Sequence, residues 1–189
     1  MLFSPHPLIR LVALCCLLTG FSSPLATAQD APDTVSVPFM ENLSNLPKDL
    51  AAMQAAKIPM VLFVHASYCP YCQVVDSNFI APMANDPAYR GKLIVRRIEI
   101  DAPLSIIDRQ GNKETNKHFA QRLGVRLVPV VAFFGPVGQQ IGDAITGVTV
   151  PDFYPYYLQQ GIDLAESCVK NPDPKLCTPT IKKADRRTL

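Results

Sequence analysis

Cys69 and Cys72 stand two residues apart in the stretch His65–Val75 (HASYCPYCQVV), with Pro70 and Tyr71 between them. A cysteine pair at this spacing serves one of three chemistries. It cycles between dithiol and disulfide, it holds a soft metal, or it staples a turn. A metal site needs about four nitrogen or sulfur ligands. After residue 28 the only histidines are His65 and His118, and the chain has no second CxxC. Two thiolates alone would suit copper(I) at most. No metal and no diffusible cofactor is therefore expected.

The flanking sequence favours redox chemistry. Pro59–His65 is a continuous apolar run, the pattern of a strand buried on both faces. Val75, Phe79 and Met83 recur at four-residue steps. A helix of about three turns is predicted to begin at the motif, with Pro82 kinking or ending it. Cys69 then sits where a helix N-cap belongs, and the unpaired N–H groups of the first turn favour its thiolate. Pro70 suits the first helical position, where its missing N–H costs nothing. Cys72 lies one turn on, more buried and less reactive. The pair reads as nucleophile (Cys69) and resolving thiol (Cys72). Tyr68 and Tyr71 flank Cys69 and offer contact surface to a protein substrate. His65 has two readings of comparable weight: a charged group that lowers a thiol pKa and moves protons, or a half-buried packing residue.

The positioning elements follow by pattern. Thr34–Phe39 alternates and reads as an edge strand. Asn45 caps a helix running to Lys57, with Leu46, Leu50 and Met53 on one face. Leu93–Ile100 is a second clear strand, and Asp101 reads as a turn residue at its end. Residues 102–114 are a turn-rich insert. Thr115 caps a short helix closed by Gly124. Val128–Phe134 and Ile141–Ile145 read as a hairpin, and a last helix spans Pro151–Val169. Tyr154, Tyr156 and Tyr157 on it read as packing and surface. The order predicts an α/β fold, a mixed sheet with helices on both faces, with parallel crossovers and one antiparallel pair. Val128-Pro129 opens a strand where proline is normally excluded. It is either a trans proline at a strand start or a cis bond at a tight turn. The cis form would expose the Val128 backbone to an extended substrate.

The first 28 residues carry one certain charge, Arg10, then the apolar run Leu11–Phe21 and the small-residue site Ala26-Thr27-Ala28. They read as a cleavable secretory signal, with a retained anchor as the alternative. Cys15 and Cys16 leave with that segment, and Leu14 argues against a lipoprotein site. Four cysteines remain, and their spacing suggests the local pairs 69–72 and 168–177, the second a structural disulfide. The domain is expected over residues 29–170, with 171–189 a tail tied back by that disulfide. Lys182, Lys183, Arg186 and Arg187 read as a solvated basic end. A net charge of +2 gives no argument for nucleic acid.

The strand–CxxC–helix unit at 59–83, the VP strand at 128–134, the hairpin after it and the final helix resemble the thioredoxin superfamily over residues 34–168. With the leader and the insert, the chain is similar to extracytoplasmic thioredoxin-like proteins of the SoxW type. The resemblance implies a thioredoxin fold, a redox-active Cys69–Cys72 pair and a cis Pro129. Two departures stand out. Thioredoxins carry a buried acid six residues before the first cysteine, where this chain has Phe63, and an aromatic four before it, where it has His65. The Pro70-Tyr71 dipeptide is that of glutaredoxins, but their glycine-rich, acid-containing turn is replaced by Gly135–Asp143 (GPVGQQIGD). The expectation is a periplasmic, monomeric thiol–disulfide oxidoreductase that reduces exported proteins, docks them on Val128 and Pro129, and takes electrons from a membrane thiol–disulfide transporter. The rivals are a disulfide oxidase or isomerase, a redox-inert binding module, and a copper chaperone.

Overall fold

The computed structural model describes residues 40–148, 150–180 and 189, all within one unit, Val35–Leu189. The secretory leader expected at 1–28, the strand expected at Thr34–Phe39 and the basic end expected at 182–187 lie outside the described residues. The first described strand is β1 (Met40–Asn42).

Five strands form the main sheet in the order β1–β3–β2–β6–β7. β2 (Met60–His65) lies at its centre, because an all-apolar strand is stable only when both faces are covered. It pairs parallel with β3 (Ile94–Glu99) and antiparallel with β6 (Val130–Phe134). β1 adds to β3 in parallel, and β7 (Ile145–Thr146) to β6 antiparallel. The sheet is mixed and helix-covered as the sequence implied, with one correction. The helix before β6 does not make a parallel crossover; it returns the chain antiparallel to β2.

Alternation along the strands splits the core in two. Val61, Phe63, Val95, Val131 and Phe133 face α2 (Pro70–Val75), α3 (Ala81–Asn85) and α5 (Tyr154–Lys170). Met60, Leu62, Val64, Ile94, Ile98 and Phe134 face α1 (Leu46–Ala56) and α4 (Asn116–Arg122). The caps read from the sequence are in place: the Asn45 side chain accepts from the N–H of Lys48, and Thr115 from that of His118. Gly124, at φ 77°, ends α4 in the left-handed region that glycine adopts at low cost.

Three further differences have local causes. The helix after the CxxC contains a π-turn, Asp76–Ile80, before α3. The wider turn admits Pro82, which has no N–H to return to the preceding turn. The insert is not mere turn. Its β4 (Ser105–Ile107) and β5 (Lys113–Thr115) form a hairpin of their own, anchored by Ile106, which is fully buried. The strand expected over Ile141–Ile145 shrinks to β7, because Gly142, at φ 60°, turns the chain out of the ladder. α5 crosses the sheet at Gly161. A Cβ there would lie 2.2 Å from the Phe133 ring, so the close approach requires glycine. A short α6 (Pro174–Cys177) follows, and the Cys168–Cys177 disulfide ties it to α5. Leu189 is buried in the core facing α1 and α4.

Candidate active site

Cys69 is the N-cap residue of α2. Its extended backbone (φ −96°, ψ 105°) ends the strand–loop segment, and Pro70 occupies the first turn. The sulfur accepts a hydrogen bond from the backbone N–H of Cys72 at 3.1 Å. Cys69 and Cys72 are joined as a disulfide across a Cα separation of 5.2 Å. Cys69 is 8% exposed and Cys72 2%, so an incoming group reaches the first sulfur and not the second. Tyr68 and Tyr71, on either side, are 71% and 65% exposed.

Across from the motif, the Val128–Pro129 bond is cis. The Val128 carbonyl oxygen lies 3.8 Å from Cys69 Sγ. Pro129 is buried, and its carbonyl accepts from Gly147 N–H at 2.8 Å. A groove of about 500 Å³ opens beside the sulfur, between Tyr68, α4 and the Val125–Val128 segment. A disulfide at a helix N-terminus, with one sulfur more accessible than the other, has the asymmetry that thiol–disulfide exchange uses. A family model described as thioredoxin-like matches residues 41–136, which span β1, the CxxC helix and β6. The chain belongs to the thioredoxin-like family.

Among solved structures, it is similar to the thioredoxin Mala s 13 of Malassezia sympodialis. That match has 20% identity, 67% of this chain and 90% of that one covered, and a TM-score of 0.46. A Thermus thermophilus thioredoxin matches at 20% identity over 70% and 93% of the two chains, TM-score 0.46. Trxlp of Edwardsiella tarda matches at 24% identity over 63% and 97%, TM-score 0.43. No curated protein sequence matches the chain.

In this thioredoxin-like site the polar groups beneath α2 are arranged around Phe63. Phe63 and His65 on β2 pair with Arg97 and Glu99 on β3, all on the sheet face that α2 covers. Arg97 donates to the carboxylate of Asp76 at 2.5 Å. Asp76 is one turn beyond Cys72, and its N–H bonds to the Cys72 carbonyl. The acids on this face are thus Asp76 of the helix and Glu99 of β3, while Phe63 fills the strand position before the motif. His65 Nε2 and Arg97 Nε are buried with no hydrogen-bond partner. Asp101 is more than a turn residue. Its carboxylate takes both the N–H (3.0 Å) and the hydroxyl of Ser67, fixing the loop that leads into Tyr68. Those bonds hold its carboxyl below the usual range.

His65 stacks on Phe63 at 4.9 Å with the rings 9° from parallel. Burial pushes its pKa down; Glu99 pulls it back, Arg97 lowers it further, and Asp76 and Asp101 raise it. The balance is downward, so at neutral pH the imidazole is uncharged. In this oxidised form, with no thiolate beside it, the ring packs as a neutral group that can still accept a proton. The unfolded chain binds the proton near pH 6.5 and the folded chain only at lower pH, so this contribution is present above 6.5 and fades as pH falls below it. The thermal midpoint is expected to drop between about pH 7 and 5, and to drop less in His65→Phe. Equal slopes in the two proteins would contradict this. The depressed carboxylates of Asp101, Asp108 and Glu114 lose their contribution only below about pH 5, outside that window.

Tyr154, on α5, is buried and stacked on Phe79, and burial raises its pKa; Tyr156 and Tyr157 are exposed. Asp76, Arg97, Lys117, Gln121, Arg126 and Leu127 were not singled out by sequence. Only their packing against the motif marks them. Among the described residues no group of three or more His, Cys, Asp or Glu could hold a metal, and no helix is long and apolar enough to cross a membrane.

Proposed function

We propose that the protein is an extracytoplasmic thiol–disulfide oxidoreductase of the SoxW type, working as a reductant of exported proteins. The observation that carries this is the Cys69–Cys72 disulfide capping α2 beside the Val128 carbonyl. In the reduced state the Cys69 thiolate attacks a substrate disulfide. One S–S bond breaks, a mixed disulfide forms, and the departing substrate thiolate takes a proton. Cys72 loses its proton and attacks Cys69 Sγ. The second substrate thiolate leaves, and two electrons have passed to the substrate. Asp76 of the helix, Glu99 of β3 and His65 of β2 are the candidates to receive the Cys72 proton. An extended substrate pairs with the Val128 backbone while Tyr68, Pro70 and Tyr71 bound the approach. A membrane thiol–disulfide transporter returns the electrons, and the protein acts as a monomer. The periplasmic location rests on the leader sequence at 1–28. The Cys168–Cys177 disulfide agrees with it, since such bonds persist in oxidising compartments.

The reduction potential of Cys69–Cys72, equilibrated against glutathione buffers, tests the direction. A value near or below about −230 mV is expected of a reductant. A value near about −120 mV would make the protein a donor of disulfides and overturn the reading.

A further inference from the structure

The groove beside Cys69 carries a definite charge sign. Lys117, Ala120 and Gln121 follow the i, i+3, i+4 spacing, so they share one face of α4, and that face lines the groove. The chain leaving α4 then runs past Cys69 and adds Arg126 and Leu127. None of the lining residues is a carboxylate.

Of the carboxylates close by in the chain, Glu99 faces the α2 side of the sheet beside His65, and the other two are already engaged. Glu114 is held on the neighbouring face by His118 at 2.5 Å and Arg122 at 2.6 Å. Asp101, next to the lining residue Ile100, has both oxygens on Ser67. Lys117 and Arg126 are exposed and form no ion pair among the described residues. The rim around them is apolar: Tyr68 and Leu127 are each 71% exposed and Tyr71 65%. Large apolar side chains left in water beside a reactive sulfur mark a contact surface wider than a small disulfide would cover.

We propose that this groove selects polypeptide disulfides whose cysteine is flanked by acidic residues. An apolar side chain of the substrate seats against Leu127 and Tyr68, and carboxylates of the same segment meet Lys117 and Arg126. The two cations sit at a partly solvated rim, so they set partner choice and encounter rate more than tightness. This rests on the thiol–disulfide reading of the site and names its substrate class.

The test uses three disulfide-linked peptide dimers, identical except for Glu, Gln or Lys on both sides of the cysteine, with a chemical dithiol as electron source. The expected order of kcat/KM is Glu over Gln over Lys. The Glu/Lys ratio should be about tenfold at low salt, the scale of two partly solvated charge pairs. It should shrink towards one at about 0.5 M NaCl, where such pairs are screened. Lys117→Glu with Arg126→Glu should invert the order, and Lys117→Gln with Arg126→Gln should flatten it. Each ratio is measured within one protein, so a general loss of activity or stability does not imitate the effect. Equal rates on the Glu and Lys peptides, or an order that survives reversal of both charges, overturn the proposal. So does preferential reduction of a glutathione mixed disulfide with no peptide preference, which assigns the groove to a small tripeptide. Failure of the wild-type protein to reduce any of the three sinks the oxidoreductase reading itself. Loss of charge selectivity alone sinks only the present inference.

Discussion

Cys69→Ser abolishes dithiol-dependent reduction of a protein disulfide such as insulin, and Cys72→Ser abolishes turnover in a different way. Without Cys69 no exposed sulfur remains to attack, because Cys72 is only 2% exposed. Without Cys72 the attack still occurs, but no thiol resolves the mixed disulfide. The substrate then stays bonded to Cys69 and runs as a reducible adduct on a non-reducing gel. The loss of turnover should reach background in both variants, because the exchange is sequential and neither sulfur substitutes for the other. The asymmetry of trapping is the decisive readout. A trapped adduct on Cys69→Ser and none on Cys72→Ser would reverse the assignment. No dithiol-dependent turnover in the unsubstituted protein, with Cys69→Ser changing nothing, would make the fold a redox-inert binding module.

The largest expected effect on stability lies on the opposite sheet face. Arg96 on β3 points among Ile94, Ile98 and the apolar face of α1, where it meets Asp49. The pair is bidentate: Nε to Oδ2 at 2.8 Å and an NH2 group to Oδ1 at 2.7 Å. Their side chains are 3% and 8% exposed. Asp49→Ala leaves a buried guanidinium without its carboxylate and should cost about 3–5 kcal/mol. Asp49→Leu with Arg96→Met removes both charges and should recover most of that loss, because the desolvation penalty disappears with the ions. Urea unfolding midpoints at constant slope check both numbers. A loss below about 1 kcal/mol in Asp49→Ala would place the pair with ordinary solvated ion pairs.

Local physics sufficed for much of this molecule. An unbroken apolar run predicts a central strand because only burial on both faces tolerates it, and Met60–His65 is that strand. Asn45, Thr115 and Gly124 mark helix ends because their side chains, or the lack of one, satisfy backbone groups within a few residues. Cys69 and Cys72 are legible for the same reason: their geometry depends on one turn of helix.

What the sequence left undetermined depends on contacts between distant segments. Nothing local indicates that β6 returns antiparallel to β2, since direction is set by how α4 packs against the sheet. The hairpin at 105–115 is hidden in turn residues until Ile106 finds the core. Arg96 and Arg97 are adjacent in sequence yet face opposite sides of the sheet. One neutralises Asp49 under α1, and the other meets Asp76 under the CxxC helix. Phe63 announced a missing acid, but only strand register and the packing of α2 on β3 brought Glu99 and Asp76 to that face. The groove cations come from a helix and a loop about fifty residues from the cysteines. By itself the sequence determined which two sulfurs pair at the start of α2. The tertiary structure decided which charges surround that bond, because Coulomb interactions act through space and take no account of chain order.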